Sequence, residues 1–160
     1  MSTTVTATNA PSGARVIQRR DYRVPMADVD AAGILYYASP YRWKEVLFTT
    51  WLAETGHPLR EMLESGVGMP CVRSSASYLE PVRLDDVLHQ TLTAAWLGRS
   101  SLGLQMDART SSGTLVVQVR TTNVWLAEDA DGRMRSVEVP GWLREAWGGD
   151  DVPPRPDTWH

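Results

Sequence analysis

Hydrophobic and polar positions change period once along this chain, dividing it into a helical early part and a strand-rich remainder. Residues 15–24 alternate imperfectly and read as a first strand that stops at Pro25. A loop follows over 26–33. From Tyr36 or Pro40 to Glu54 the apolar residues recur at helical spacing, with Trp43, Leu47 and Trp51 in one row and Phe48 and Leu52 beside it. Arg42, Glu45 and Thr49 leave only a narrow polar stripe, so the helix is predicted to be central and covered on several sides. Gly56 ends it, and a short helical turn fits between Pro58 and Ser65. Beyond that point the period is two. Residues 67–79, 86–97, 100–109 and 114–127 read as strands, clearest where Leu102, Leu104, Met106 and Ala108 share a face. Gly98 with Arg99, and the run 111–113, are hairpin turns. Residues 140–147 suit a short closing helix.

The sum is an α+β architecture, in which one strand and a meander of four more form an antiparallel five-stranded sheet wrapped around a long central helix. Such a sheet leaves an edge unpaired, so a homodimer or homotetramer is expected. The ends differ from the middle. Residues 1–14 are small and polar, and 148–160 hold two glycines and three prolines, so both are expected to be flexible around a single domain at 15–147.

Composition narrows the function. A net charge of -3 gives no broad attraction for polyanions, which argues against nucleic acid as the main partner. Sixteen basic residues include one lysine, Lys44, which reads as compositional bias. Cys71 is the only cysteine, so an intrachain disulfide and a Cys-based zinc site are both excluded. His57, His89 and His160 share no metal-ligand spacing, and no metal or other cofactor is implied. No stretch approaches the roughly 18 apolar residues of a membrane span, and the expected location is the cytoplasm.

The informative stretch is 26–43, where Asp28 and Asp30 sit in a small-residue loop just before the central helix. Gly33 and its small neighbours let another molecule approach the main chain closely. Free N–H groups near Tyr36, Tyr37 and Ala38, at the start of the helix, would face a carbonyl oxygen. A carbonyl so polarised develops negative charge as a nucleophile adds, and a nearby carboxylate attacks it or activates water. That is the chemistry of thioester hydrolysis.

The same stretch resembles the signature of the 4-hydroxybenzoyl-CoA thioesterase family, in which an acidic pair precedes a small-residue, glycine, apolar and aromatic run into the helix. Blocks at Ser75-Ala76-Ser77-Tyr78, Leu84-Asp85-Asp86-Val87-Leu88 and 135–140 also match, and the resemblance covers about Arg15 to Arg144. It implies the hotdog fold and an acyl-CoA or acyl-carrier-protein thioester as substrate. The family's catalytic aspartate falls on Asp30 and its carbonyl-polarising N–H on Tyr37. Its coenzyme A phosphate contacts fall on Arg99, with Ser100 beside it, and the helix position facing the acyl group falls on Glu45. Gly33 and Tyr36 complete the substrate contacts. Tyr37 resembles the branch acting on aromatic acyl groups, which favours an aromatic or bulky acyl group. That branch's three-residue basic cluster is reduced here to Arg99, which keeps an acyl carrier protein open as the partner.

Plainer readings stand beside these. Asp30 caps its own loop, as Asp does in many glycine-containing turns. Arg99 is a solvated charge. Tyr36, Trp43, Phe48 and Trp51 fill a core. Asp28 orients the loop or pairs with an arginine, His57 sits at the surface, His89 faces out or packs at an interface, and Cys71 is a small buried side chain. Two rival functions remain: a hotdog hydratase or dehydratase, which needs a histidine the loop lacks, and an acyl-thioester binding module without turnover.

Overall fold

The structure is a computed structural model that describes residues 8–159. Residues 1–7 of the expected N-terminal segment, and His160, lie outside the described residues. Strand β1 (Arg15–Arg23) and the helix α1 (Ser39–Glu54) fall where the pattern places them. They are followed by α2 (Leu59–Glu64), β2 (Val67–Gly68), β3 (Cys71–Tyr78), β4 (Val87–Leu97), β5 (Ser101–Thr110), β6 (Leu115–Val124), β7 (Leu126–Glu128), β8 (Met134–Ser136) and α3 (Gly141–Trp147).

Five strands form an antiparallel sheet in the order β1-β4-β5-β6-β3, and β2, β7 and β8 form a small second sheet. This corrects the expected meander. Only β4, β5 and β6 run hairpin to hairpin, while β3 crosses to the far edge and pairs with β6. Sequence alternation fixes which face a residue takes but not which neighbour a strand chooses, so the crossover left no local signal. The short strand β8 also went unpredicted.

Alternation on β5 puts Leu102, Leu104, Met106 and Ala108 against the helix, all with no solvent exposure. Leu88, Leu92, Val117 and Val119 continue that face on β4 and β6, and from α1 Trp43, Leu47, Phe48, Trp51 and Leu52 fill it. Each such side chain contributes about 2 kcal/mol relative to exposure. The opposite side of α1, including Arg42, Glu45 and Val46, is open, so the helix is covered on fewer sides than its sequence suggested.

The outer face of the sheet carries a different chemistry. Arg120 donates to Gln105 across β5 and β6, and Gln118 to Asp107. Trp96 lies flat over Gly103, where an added Cβ would meet indole atoms at 1.9 to 2.4 Å, so no residue but glycine fits. Both ends of the described chain reach this face. The carbonyl of Thr8 accepts from Gln118 and Arg120, and the indole of Trp159 packs edge-on against Trp96 under the guanidinium of Arg120. The proline-rich segment is therefore seated at its last described residue, Trp159, which is 2% exposed.

Candidate active site

Asp28 and Asp30 belong to one tight loop. It closes through an isolated bridge between Val29 and Leu35, with Asp30 N–H donating to the Ile34 carbonyl and Gly33 N–H to the Asp30 carbonyl. Gly33 makes the turn at φ +74°, a left-handed conformation that would strain any side chain. Leu35 N–H donates to the carbonyl of Val82 at 2.9 Å, which ties the loop to the β3–β4 connection.

Asp28 is the anchor. It is 3% exposed and its carboxylate accepts from Tyr22 Oη at 2.5 Å, Trp43 Nε1 at 2.8 Å and Arg42 at 2.5 Å. Burial alone pushes its pKa up. Hydrogen bonds from Tyr22, Trp43 and Ser39, with the charge of Arg42, outweigh that and hold it below the usual carboxylate value. The Tyr22 phenol is pushed up to about 12, by burial first and by Asp28 second. The expected pairing of Asp28 with an arginine is present, and its partner is Arg42.

Asp30 lies open. Its Oδ1 accepts from Ala32 N–H at 2.8 Å, which is the loop-capping bond of the plainer reading, and the residue also lines a cavity of about 440 Å³. Ile34, Leu35, Tyr37, Tyr78 and Val82 line the same cavity. An Asx-type bond uses one lone pair of one oxygen and leaves the second oxygen for chemistry.

The start of α1 supplies the donor side. Tyr36 N–H is already given to the Asp28 carbonyl at 2.7 Å, which removes it from the set of free amides expected there. For Tyr37 N–H and Ala38 N–H no acceptor is found among the described residues. Tyr36 is 40% exposed and stacks edge-on against Tyr37, so it is not the core residue expected and does not line the cavity. Trp43, Phe48 and Trp51 are core. Tyr78, met in the sequence only as the end of a matching block and given no role there, donates its hydroxyl to the Tyr37 carbonyl and so holds the peptide between Tyr37 and Ala38.

The remaining candidates fall elsewhere. Glu45 is half exposed, accepts from Lys44 Nζ at 2.7 Å and lines a second cavity of about 520 Å³ with Tyr41, Cys71, Ser74 and Thr121. Arg99 and Ser100 are in the β4–β5 turn, where their carbonyls accept from Val139 and Trp125. Tyr78 pairs with Val117, and Val117 with Ala108, seven residues along β5 from Ser101. At ~3.3 Å per residue that places the turn at the other end of the sheet, about 23 Å along the strand direction from Tyr78 on the wall of the Asp30 cavity. Cys71 is exposed on the edge strand rather than buried. His89 bonds Asp21 on the neighbouring strand and faces out, and His57 stacks on Trp142. Among the described residues no cluster of His, Cys, Asp or Glu is set to hold a metal, and no helix is long and apolar enough to cross a membrane.

The family model for the thioesterase-like superfamily matches residues 24–147, which spans the loop, α1 and the whole sheet apart from β1. A 4-hydroxybenzoyl-CoA thioesterase from Pseudomonas sp. (strain CBS-3) is 30% identical over 125 residues, 74% of this chain and 88% of that protein. A 1,4-dihydroxy-2-naphthoyl-CoA hydrolase from Thermosynechococcus vestitus is 29% identical over 131 residues, 79% of this chain and 90% of that protein. Among solved structures, the Pseudomonas enzyme superposes with a TM-score of 0.66 at 26% identity, covering 80% of this chain and 96% of the other. A 1,4-dihydroxy-2-naphthoyl-CoA thioesterase from Synechocystis gives 0.74 at 20% identity, covering 85% and 98%, a likeness of fold. With its loop, helix and sheet all inside the matched region, the chain belongs to the thioesterase-like superfamily and has the hotdog fold of 4-hydroxybenzoyl-CoA thioesterase.

Proposed function

We propose that this protein hydrolyses an acyl thioester carrying an aromatic or bulky acyl group, with Asp30 as nucleophile or general base. The observation that carries this reading is that Asp30 and Tyr37 line one cavity at the opening of α1, where the Tyr37 amide has no acceptor among the described residues. The thioester oxygen accepts from Tyr37 N–H, and the carboxylate adds to the carbon or takes a proton from water that adds. The carbon–sulfur bond then breaks. On the general-base route the proton taken from water leaves with the thiol and the acyl group departs as its acid. On the nucleophile route the thiolate takes a proton from solvent and water then cleaves the acyl–Asp30 anhydride. One amide aimed at a developing oxyanion is worth on the order of a hundredfold in rate.

The acyl group follows from the relatives, named for hydroxybenzoyl and dihydroxynaphthoyl thioesters of coenzyme A. Arg99 and Ser100 take the phosphate contact by family resemblance, at the far end of the sheet. With a single arginine there, a phosphopantetheinyl carrier protein is the alternative thiol.

The protein acts as a homodimer or homotetramer on this reading. Strand β3 is an edge, and Val72, Val46, Tyr37 and Tyr78 are exposed around it, the composition of a surface that a second copy covers. The test is thiol release from aromatic, short and long acyl thioesters, each on coenzyme A and on a carrier protein. Asp30→Asn is expected to lower turnover by on the order of a hundredfold or more while the protein stays folded. Near-normal hydrolysis by that variant would sink the assignment, and binding without thiol release across the panel would favour the non-catalytic reading.

A further inference from the structure

A turn over Tyr36 to Ser39 carries the chain from the acidic loop into α1. Ser39 N–H closes it by donating to the Tyr36 carbonyl at 2.9 Å, and Ala38 within it has φ −86° and ψ −14°, the third position of a type I turn. The polar groups around the turn are nearly all committed. Tyr36 N–H goes to the Asp28 carbonyl, Ser39 N–H closes the turn, and Pro40 has no N–H to give. The amides of Tyr37 and Ala38 are left, and in the right-handed helical conformation of a type I turn successive N–H groups point the same way.

The central peptide of this turn joins Tyr37 to Ala38, and its carbonyl accepts from the hydroxyl of Tyr78, 41 residues away. Tyr78 ends β3 at the edge of the sheet and is 40% exposed, a place where water alone satisfies a phenol. Its hydroxyl is given to the peptide instead, and Tyr78, Tyr37 and Asp30 line one cavity. The bond from Leu35 N–H to the Val82 carbonyl is a second tie between the same two stretches of chain. The two ties differ in kind. The Val82 bond joins main chain to main chain and places no demand on the side chains, whereas the Tyr78 bond requires a hydroxyl that phenylalanine, alike in packing, lacks.

A hydrogen bond received at a peptide oxygen strengthens the N–H of the same peptide as a donor, by about 10 to 30% per bond. It also opposes the flip of the central peptide that converts a type I turn into type II, which would bring the Tyr37 carbonyl to the side where the Ala38 N–H now lies. A carbonyl there repels a developing oxyanion, and an N–H attracts it. Resting on the hydrolase reading above, we propose that Tyr78 is a positioning residue for thioester cleavage, whose hydroxyl holds and polarises the Tyr37–Ala38 peptide so that the amides of Tyr37 and Ala38 meet the thioester oxygen together.

Tyr78→Phe, which keeps the ring and removes the donor, is the test. With whichever thioester of the thiol-release panel is cleaved fastest, kcat is expected to fall about tenfold, less than the loss of a whole oxyanion donor, while KM stays within about twofold. Thermal unfolding is expected within about 1 °C of the wild type, because a single hydroxyl is removed at a half-exposed site. An unchanged kcat overturns the proposal. So does a change in KM alone, which makes Tyr78 a wall of the pocket, or a fall in Tm of several degrees with loss of both constants, which makes it a structural anchor. The second readout is the infrared carbonyl stretch of benzoyl-CoA, isotopically labelled at the thioester carbon and bound to Asp30→Asn. Its band is expected below the solution value, and Tyr78→Phe in the same background is expected to return part of that shift. A band indifferent to Tyr78→Phe, or no band of bound benzoyl-CoA at all, overturns the proposal. Absence of thiol release by the wild type together with a Tyr78-dependent band rejects the hydrolase and keeps the positioning role, whereas thiol release with kcat and band both indifferent to Tyr78 does the reverse.

Discussion

Asp28 and Asp30 stand two residues apart on one loop, with the same side chain and opposite surroundings. Asp28 is enclosed by a phenol, an indole and a guanidinium, all three donating to its carboxylate. Asp30 has one backbone donor and faces a cavity. A carboxylate whose lone pairs are already filled cannot attack or accept a proton cheaply, and one left solvated cannot hold a loop in place. On the proposed reading the pair divides these duties, the anchoring acid fixing where the open one lies.

The same substitution at each position separates the duties. Asp28→Asn removes the charge that Arg42 faces and turns an amide toward other donors, so unfolding is expected to become easier by about 3 kcal/mol. For a domain of this size thermal unfolding should then shift down by about 9 °C. Asp30→Asn, by contrast, should leave Tm within about 1 °C of the wild type, because it changes an exposed group, while costing the activity described above. A large loss of stability at Asp30 and none at Asp28 would reverse the comparison.

Trp43→Phe sharpens it further by deleting one donor to Asp28 and a little core volume. The expected cost is about 2 kcal/mol, read from chemical denaturation. The smallest effect concerns pH. Because the folded pKa of Asp28 is held below its unfolded value of about 3.9, its contribution is complete above that value. It is lost as the pH falls through the lower, folded value. Melting curves below pH 4 should therefore fall more steeply for the wild type than for Asp28→Asn, and parallel curves would remove Asp28 from the account.

Much of this was legible in the chain. Periodicity placed α1 and the strands of the sheet, because alternation and helical spacing are local consequences of which side is buried. It could not show that β3 pairs with β6, since Tyr78 and Val117 meet only through a crossover of eight residues, 79–86, with no pattern of its own. The Asp28–Asp30 loop stood out because small residues and two acids before an aromatic helix are unusual together. That Tyr36 N–H is consumed by the Asp28 carbonyl, and that Tyr78 steadies Tyr37, depend on tertiary contacts invisible in the sequence. The depth of Lys44 is likewise a tertiary fact. A lone lysine looks like compositional accident until its depth is known.

The back of the sheet has its own bearing on what the molecule meets. Trp96 is pressed onto Gly103 and roofed by Trp159, with Arg155 and Arg120 stacked over the two indoles. Any macromolecule approaching from that side would first have to peel away the chain's own terminal stretch and bare a pair of indoles to water. The rear of the protein is in this sense already upholstered around Trp96, unlike the rim at β3 and the uncovered flank of α1.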